Sequence, residues 1–335
     1  MTTKIASLSL AARATIDMHS LNNEGGEGNQ IQTRMVDIVG ADGRMYNVNA
    51  ISGDMLKHIQ SQHFFEQARE QGLPLCSGCK EFNANRINAD AKWIAEMPKG
   101  DRDALGSLLR TCALDDVAGI LITAGGRSLP RKSVVEFGWV VGIPKSVTSD
   151  NYFHVKYVNE REKERVASDA KEQQEKGSNL GQSIFHRPAS SGIYAIVCHI
   201  ELARIGYNDI SQTYDIDEQQ RTARARAVLQ SVLHTFIELN GAMRTTQLPH
   251  LVNIEGIITT SATGAIPAPL VSPLGNDPLG DDEQYYHKEI RTITTALDAG
   301  KGIVQATDFA SLGDLATFMS NLAREMTPAQ LVTFR

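Results

Sequence analysis

Several features that would fix a protein's class are scarce in this sequence. Four cysteines in 335 residues are too few for the disulfide framework of a small secreted domain. No apolar run approaches the roughly 20 residues that a membrane-spanning helix needs. The N-terminus lacks the basic-then-apolar pattern of a signal peptide, so a cytoplasmic protein is expected. No Pro/Ser-rich linker or break in composition divides the chain, which favours one elaborated domain over residues 1–335. Net positive charge is also missing. The formal charge of −6 argues mildly against nucleic acid, because counterion release requires clustered Lys and Arg. Distribution matters more: acidic groups gather at 277–283, while basic ones gather at 127–132 and 221–226.

What is present begins at residues 5–23, IASLSLAARATIDMHSLNN. Ala6, Leu8, Leu10, Ala12, Ala14, Ile16 and Met18 alternate with Ser7, Ser9, Ala11, Arg13, Thr15, Asp17 and His19. A strand sends successive side chains to opposite faces, so this pattern predicts a long strand with an apolar face on helices and a polar face open to a ligand or water. It runs out into NNEGGEGN (22–29), a loop able to bring backbone amides close to a partner. A sheet with one face on helices and one free polar face suits single-stranded RNA.

Further along, 31–39 and 45–51 read as strands joined by the turn Ala41-Asp42-Gly43. Ser52 or Asp54 can cap a helix carrying Met55, Leu56, Ile59, Phe64 and Ala68, which Gly72-Leu73-Pro74 stops. The start of that helix, with Ser52, Gly53, Lys57 and His58, is a candidate phosphate site. Cys76-Ser77-Gly78-Cys79 has the shape of a zinc knuckle, and Cys76 and Cys79 are candidate ligands. Four ligands are needed, and His58 and His63 are the candidates to complete the set. A helix is predicted over 104–114, a strand over 117–123, a flexible basic loop at 125–133 with Arg127, Arg131 and Lys132, and a strand over 134–143. Residues 159–181 are almost free of apolar side chains and read as a solvated helix or an arm that orders on binding. QSIFHRP (182–188) follows, with His186 and Arg187 beside an aromatic, then a strand over 193–205. A helix over 218–240 places Arg221, Arg224 and Arg226 near its start, where the dipole disfavours cations and something anionic should compensate. GAMRTTQLPH (241–250) leads to a strand over 251–260, a Pro/Gly/Asp loop over 267–282 and a closing helix over 312–325.

The ordered set LSLAARATIDMHSLNN, ISGDMLKH, CALDDVAGILIT, RKSVVEFGWVVGIP, SGIYAIVCHIELARIG and GAMRTTQLPHL resembles the DevR-type Cas-seven family, the backbone subunits of type I CRISPR Cascade complexes. The resemblance covers nearly the whole chain. It implies an α+β fold with an RRM-like (ferredoxin-like βαββαβ) core, and insertions at about 71–110, 159–181 and 264–290. It further implies head-to-tail stacking along a guide RNA (crRNA), presentation to a target DNA strand beside other Cascade subunits, an extended thumb, and no catalysis by this subunit. The setting is antiviral defence or guided transposition. The order strand, helix, strands, helix, strand fits that core. The aromatic pattern of an ordinary RRM is missing from the strands, so backbone contacts from loops are expected rather than base stacking on the sheet. Candidate RNA contacts are Arg13, His19, Asn22, Asn23, Gln30, Arg34, Ser52, Gly53, Lys57, His58, Arg127, Arg131, Lys132, His186, Arg187, Arg244 and Gln247. No cofactor beyond the zinc is implied.

Two other classes compete. Asp17, His19, His58, His63, Cys76 and Cys79 offer groups for a metal-dependent RNA nuclease of the type III backbone kind, but without paired-acid or HxxxH-like spacing. A DNA-binding regulator would need a helix-turn-helix signal, and none is visible.

Overall fold

The computed structural model describes residues 3–27, 30–40, 42–157, 182–275 and 285–331. The expected arm at 159–181 therefore lies outside the described residues, as does part of the insertion expected at 264–290. The fold is mixed α/β around one large sheet. Its main path is built from β1 (Ser7–His19), β2 (Met35–Val39), β3 (Met45–Ile51), β4 (Val140–Tyr157), β5 (Gln182–Ile200), β6 (His250–Ser261) and β7 (Val304–Phe309), with three short strands attached beside β5. They lie in the order β7-β6-β1-β5-β4-β3-β2, and each neighbouring pair is antiparallel.

The longer helices and the one that follows Cys112 are α1 (Gly53–Glu70), α2 (Asp101–Thr111), α3 (Ala113–Ala118), α4 (Glu218–Ile237), α5 (Tyr285–Asp298) and α6 (Leu312–Glu325), and short helices also form at Ser77–Lys80 and Ala91–Glu96. Leu8, Leu10, Ala12, Ala14 and Ile16 of β1 join one core with Ile59 and Phe64 of α1, Val228 and Val232 of α4, and Leu315 and Met319 of α6. This is the helix-covered face that the alternation of β1 requires. Each Leu or Ile sealed there contributes about 1.5–3 kcal/mol. Ser52 caps α1 as expected, its Oγ accepting from the Met55 amide at 3.2 Å.

The opposite face of β1 is not open. Tyr286 and Ile290 of α5 pack on Ala11 and on Ile257 of β6. The preceding segment straps across the sheet: Ser9 Oγ donates to Ala268 O at 3.0 Å, Ser7 Oγ accepts from Ala268 N at 3.1 Å, and Thr259 Oγ1 donates to Pro269 O at 2.6 Å. The hydroxyls that mark a polar face in sequence satisfy the backbone of a strap. Neither α5 nor β7 was expected from the sequence, although Tyr286, Ile290 and Leu297 keep helical spacing.

Two further expectations shift. The predicted helix over 104–114 is two helices, because Cys112 caps a new one: its Sγ accepts from Asp115 N at 3.5 Å. Val117 therefore turns helical, and only Ile120–Ile122 of the strand predicted over 117–123 is extended. The strand predicted over 134–143 divides into Val135–Phe137, paired to the end of β5, and the start of β4. Residues 182–188 and most of the strand expected over 193–205 prove to be one strand, β5, which ends at Ile200 and gives way to a 3-10 turn at Leu202–Arg204.

Beyond the sheet, β4 and β5 continue as a two-stranded ribbon, with Ser149 opposite Ser190 and Tyr157 opposite Gln182. The pairing slips between Gly142 and Val147, and Gly192 faces the slip with φ +152. A Cβ on Gly192 would stand 2.2 Å from Ser146 O, so only glycine lets the two backbones pass this closely.

Candidate nucleic-acid interface

The residues expected to contact RNA separate into three groups. The first is interior. His19 is buried and its Nε2 lies 2.8 Å from Tyr194 Oη, which donates to Asn49 Oδ1 at 2.9 Å. Burial pushes the His19 imidazole down to about 4, so it is neutral at pH 7. Arg13 donates from Nε and Nη2 to Pro273 O at 3.2 and 3.0 Å, with its guanidinium 5.5 Å from the Tyr286 ring centroid. Neither residue stands on a free polar face: the strap and α5 cover Arg13, while Met18 at φ 53 breaks the alternation of β1 and His19 lies against Tyr194 of the helix-side core.

The second group is the basic loop, which proves to be committed within the fold. Arg131 is 3% exposed and pairs with Asp116 Oδ1 at 2.7 Å, also donating to Tyr207 O and Arg204 O at 2.8 Å. Arg127 donates to Pro98 O at 2.8 Å. Lys132 pairs with Glu201 at 2.9 Å and Glu136 at 3.2 Å, and the Glu201 carboxylate raises its pKa. The anion expected near the start of the 218–240 helix is internal as well. Arg224 meets Asp116 Oδ2 at 2.7 Å, while Arg221 lies 3.8 Å from the Tyr214 ring centroid and donates to Ala329 O at 2.7 Å.

The third group converges around the C-terminal end of β1. Asn22 Oδ1 accepts from Ser52 N at 2.8 Å, fixing the chain as it enters α1. Gly53 is obligatory there, since a Cβ would stand 2.6 Å from Phe137 O. Lys57 and His58 of α1 line a cleft of about 380 Å³ with Asp54, Ser61, Phe82 and Arg86. Burial and the neighbouring Arg86 guanidinium both lower the Lys57 pKa, only partly offset by Asp54 and Glu136. A second cleft of about 350 Å³ shares Asp54 and Lys57 and is walled by exposed Trp139. The Arg34 guanidinium lies 5.2 Å from the Trp139 ring centroid.

The 241–247 segment adjoins this corner, its Ala242 amide donating to Leu21 O at 3.2 Å. Gln247 Nε2 donates to Pro188 O at 3.0 Å, and Arg187 Nη1 to Thr246 Oγ1 at 2.6 Å, tying the segment to the ribbon. Arg244 bonds Asn240 and pairs with Glu238 at 2.6 Å. His186 sits edge-on to Phe153 across the ribbon, ring centroids 5.4 Å apart. Asn23 and Gln30 lie on the two strands of a hairpin (Asn23–Glu27 and Gln30–Thr33) joined to β5, and their side chains fall outside the description. Sequence reasoning missed Arg86 and Trp139. Trp139 lies within RKSVVEFGWVVGIP but outside the basic residues singled out there, Arg86 lies in no such motif, and only the folding of α1 against two distant segments brings them beside Lys57.

The family model for the CRISPR-associated negative auto-regulator DevR/Csa2 matches residues 10–281. The chain belongs to the DevR/Csa2 family. Among the family's curated relatives, the chain is 24% identical over 267 residues to CRISPR-associated protein Cas7/Csa2 1 of Saccharolobus solfataricus, covering 76% of this chain and 79% of that one. It is 26% identical over 277 residues to Cas7/Cst2/DevR of Methanocaldococcus jannaschii, covering 78% and 82%. It is also 21% identical over 315 residues to the aCascade subunit Cas7/Csa2 2 of S. solfataricus, covering 89% and 88%. A chain of a CRISPR RNA-guided surveillance complex, pre-nicking, aligns over 96% of this chain and 100% of that one, with 14% identity and a TM-score of 0.49.

No cysteine lines these two clefts. Cys76 and Cys79 are buried, and the histidines expected to complete their ligand set do not approach them. His63 Nε2 is 3.1 Å from Glu238 O, beside the ring of His234, and His58 packs against Phe82 with centroids 5.8 Å apart. The side chains that do meet Cys76 and Cys79 are Cys112 and Asp115. Among the described residues no helix is long and apolar enough to cross a membrane.

Proposed function

We propose that this chain is a backbone subunit of a type I CRISPR Cascade complex, holding guide RNA by its phosphates and stacking head to tail with its own copies to present the guide to a target DNA strand. Family membership over residues 10–281 carries the reading. The strand order β6-β1-β5-β4, with α1 following β1 and α4 preceding β6, supports an RRM-like βαββαβ core. The α5-covered sheet face favours RNA contact at the edge, where Lys57, His58 and Arg86 share a cleft, over base stacking on the strands. The β4–β5 ribbon is the proposed thumb. Its Tyr152, Phe153 and Val155 are exposed, and a two-stranded ribbon cannot bury such side chains against itself. A neighbouring subunit or the guide supplies the missing surface.

No catalytic step is assigned to the chain. In support, the groups a metal-dependent nuclease would use stand apart: His19 is sealed under Tyr194, His63 is held by Glu238 O, and Cys76 and Cys79 are interior. The test mixes purified protein with single-stranded RNAs of increasing length and follows particle size by scattering and negative-stain images. Particle length that tracks RNA length is expected, because a heterologous contact that does not close grows until its template ends. Constant monomeric size at every RNA length would refute the reading. Cleavage of a labelled complementary RNA in magnesium or zinc would favour the nuclease instead.

A further inference from the structure

We propose that Cys76, Cys79, Cys112 and Asp115 form a structural zinc site that pins the turn after α1 to the corner between α2 and α3. One ligand atom from each of the four lies within 4.8 Å of all the others. The Sγ atoms of Cys76 and Cys79 each stand 3.4 Å from Asp115 Oδ2. With Zn–S near 2.3 Å and Zn–O near 2.0 Å, the edges of a tetrahedral site come to about 3.5–3.8 Å, so four ligands at this spacing need little movement to enclose one ion.

The local sequence builds the site twice by the same device. Cys76-Ser77-Gly78-Cys79 and Cys112-Ala113-Leu114-Asp115 each place a cysteine at a helix N-cap and a second ligand three residues later. In both turns the amide of the second ligand points at the first sulfur: Cys79 N to Cys76 Sγ at 3.3 Å, and Asp115 N to Cys112 Sγ at 3.5 Å. Amide donors of this kind stabilise thiolates, the form that binds metal.

Charge accounting points the same way. Asp115 is fully buried, and its Oδ1 has no hydrogen-bond partner. A carboxyl and three thiols gathered away from water are a poor use of an interior unless a cation neutralises them, and three sulfurs with one oxygen match the ligand preference of zinc. All four positions are filled by the chain, so the site is closed and structural rather than catalytic. The competing arrangement is a cluster of protonated groups joined by weak S–H···O bonds, which the 3.4 Å separations also permit. Zinc here would stiffen the wall of the cleft that contains Phe82, Arg86 and Leu114, whatever that cleft binds.

The test is metal analysis of the folded chain, purified without chelator and passed through gel filtration after exposure to excess zinc. One zinc per chain is expected, as is the intense visible absorption of tetrahedral thiolate cobalt after cobalt(II) exchange. Chelator competition should show that Asp115→Asn and Cys112→Ser each weaken binding by at least about 100-fold, more than a change outside the ligand shell. Cys198→Ala, which removes the buried cysteine outside the cluster, should keep the full metal content. Asp115→Asn is nearly isosteric, which guards against a variant that fails to fold. Wild-type protein folded by circular dichroism yet free of stoichiometric zinc would overturn the proposal, as would equal metal loss from the Cys198→Ala protein.

Discussion

Asp116→Asn should be among the most damaging single changes in this chain, and the structure says by how much. Asp116 is fully buried between two buried guanidinium groups, with Oδ1 at 2.7 Å from Arg131 and Oδ2 at 2.7 Å from Arg224. It also accepts from the Gly206 amide at 3.0 Å. The two arginines are not equally dependent on it. Arg131 retains Asp209 at 3.2 Å, whereas Arg224 is left with neutral acceptors, Leu109 O at 2.9 Å and Gln220 Oε1 at 3.2 Å. Removing one partner from a buried pair costs about 3–5 kcal/mol, because the other charge stays buried without compensation. Against a typical total of about 5–15 kcal/mol, that is a large share of the stability. Urea denaturation at pH 7 measures it. If the stranded Arg224 is the cause, Asp116→Asn combined with Arg224→Met should recover at least about 2 kcal/mol of the loss, a coupling read from the double-mutant cycle. A loss below about 1 kcal/mol for Asp116→Asn, or strictly additive effects, would refute the reasoning. The same geometry means that Arg131 variants lose RNA binding, if they do, through loss of the fold.

Two further outcomes can be checked. If Lys57 meets phosphate, Lys57→Ala should weaken binding about equally for all RNA sequences and flatten the plot of log affinity against log salt by about 0.7, while Arg127→Ala, whose guanidinium already serves Pro98 O, should leave that slope unchanged; an unaltered slope for Lys57→Ala would remove the residue from the interface. Because burial holds His19 at about 4 against an ordinary 6.5, its contribution is complete above pH 6.5 and disappears as the pH falls toward 4, a loss of up to about 3 kcal/mol; denaturation of wild type and His19→Gln across that range should show the variant with the flatter profile, and parallel profiles would count against it.

The features decided by the sequence itself are those whose physics is local. Alternation along β1 marked the face carrying Leu8, Leu10 and Ile16 as the core face, because side chains two apart share a side whatever else folds. Ser52 announced the start of α1, and Asp42-Gly43 announced the β2–β3 hairpin, because caps and tight turns are closed within a few residues. The closing helix α6 coincides with its expected bounds for the same reason. Family membership was legible too, since it resides in the order of short motifs rather than in any contact.

Only the tertiary structure decided what the polar and charged groups do. Ser9 and Arg13 looked open to solvent until a strap some 260 residues away covered them. Arg131 read as part of a solvated or phosphate-binding loop and Arg224 as a helix-start cation in need of an anion; Asp116 brings both inside, and no spacing in the chain links three residues that meet from three elements. Cys76 and Cys79 pointed to a metal, but the side chains they meet, Cys112 and Asp115, come from the corner between α2 and α3 rather than from α1. A hydroxyl, guanidinium or thiol is equally soluble in water and satisfiable in a core. Which of the two it meets depends on the segments that pack over it, and that is settled when the whole chain folds.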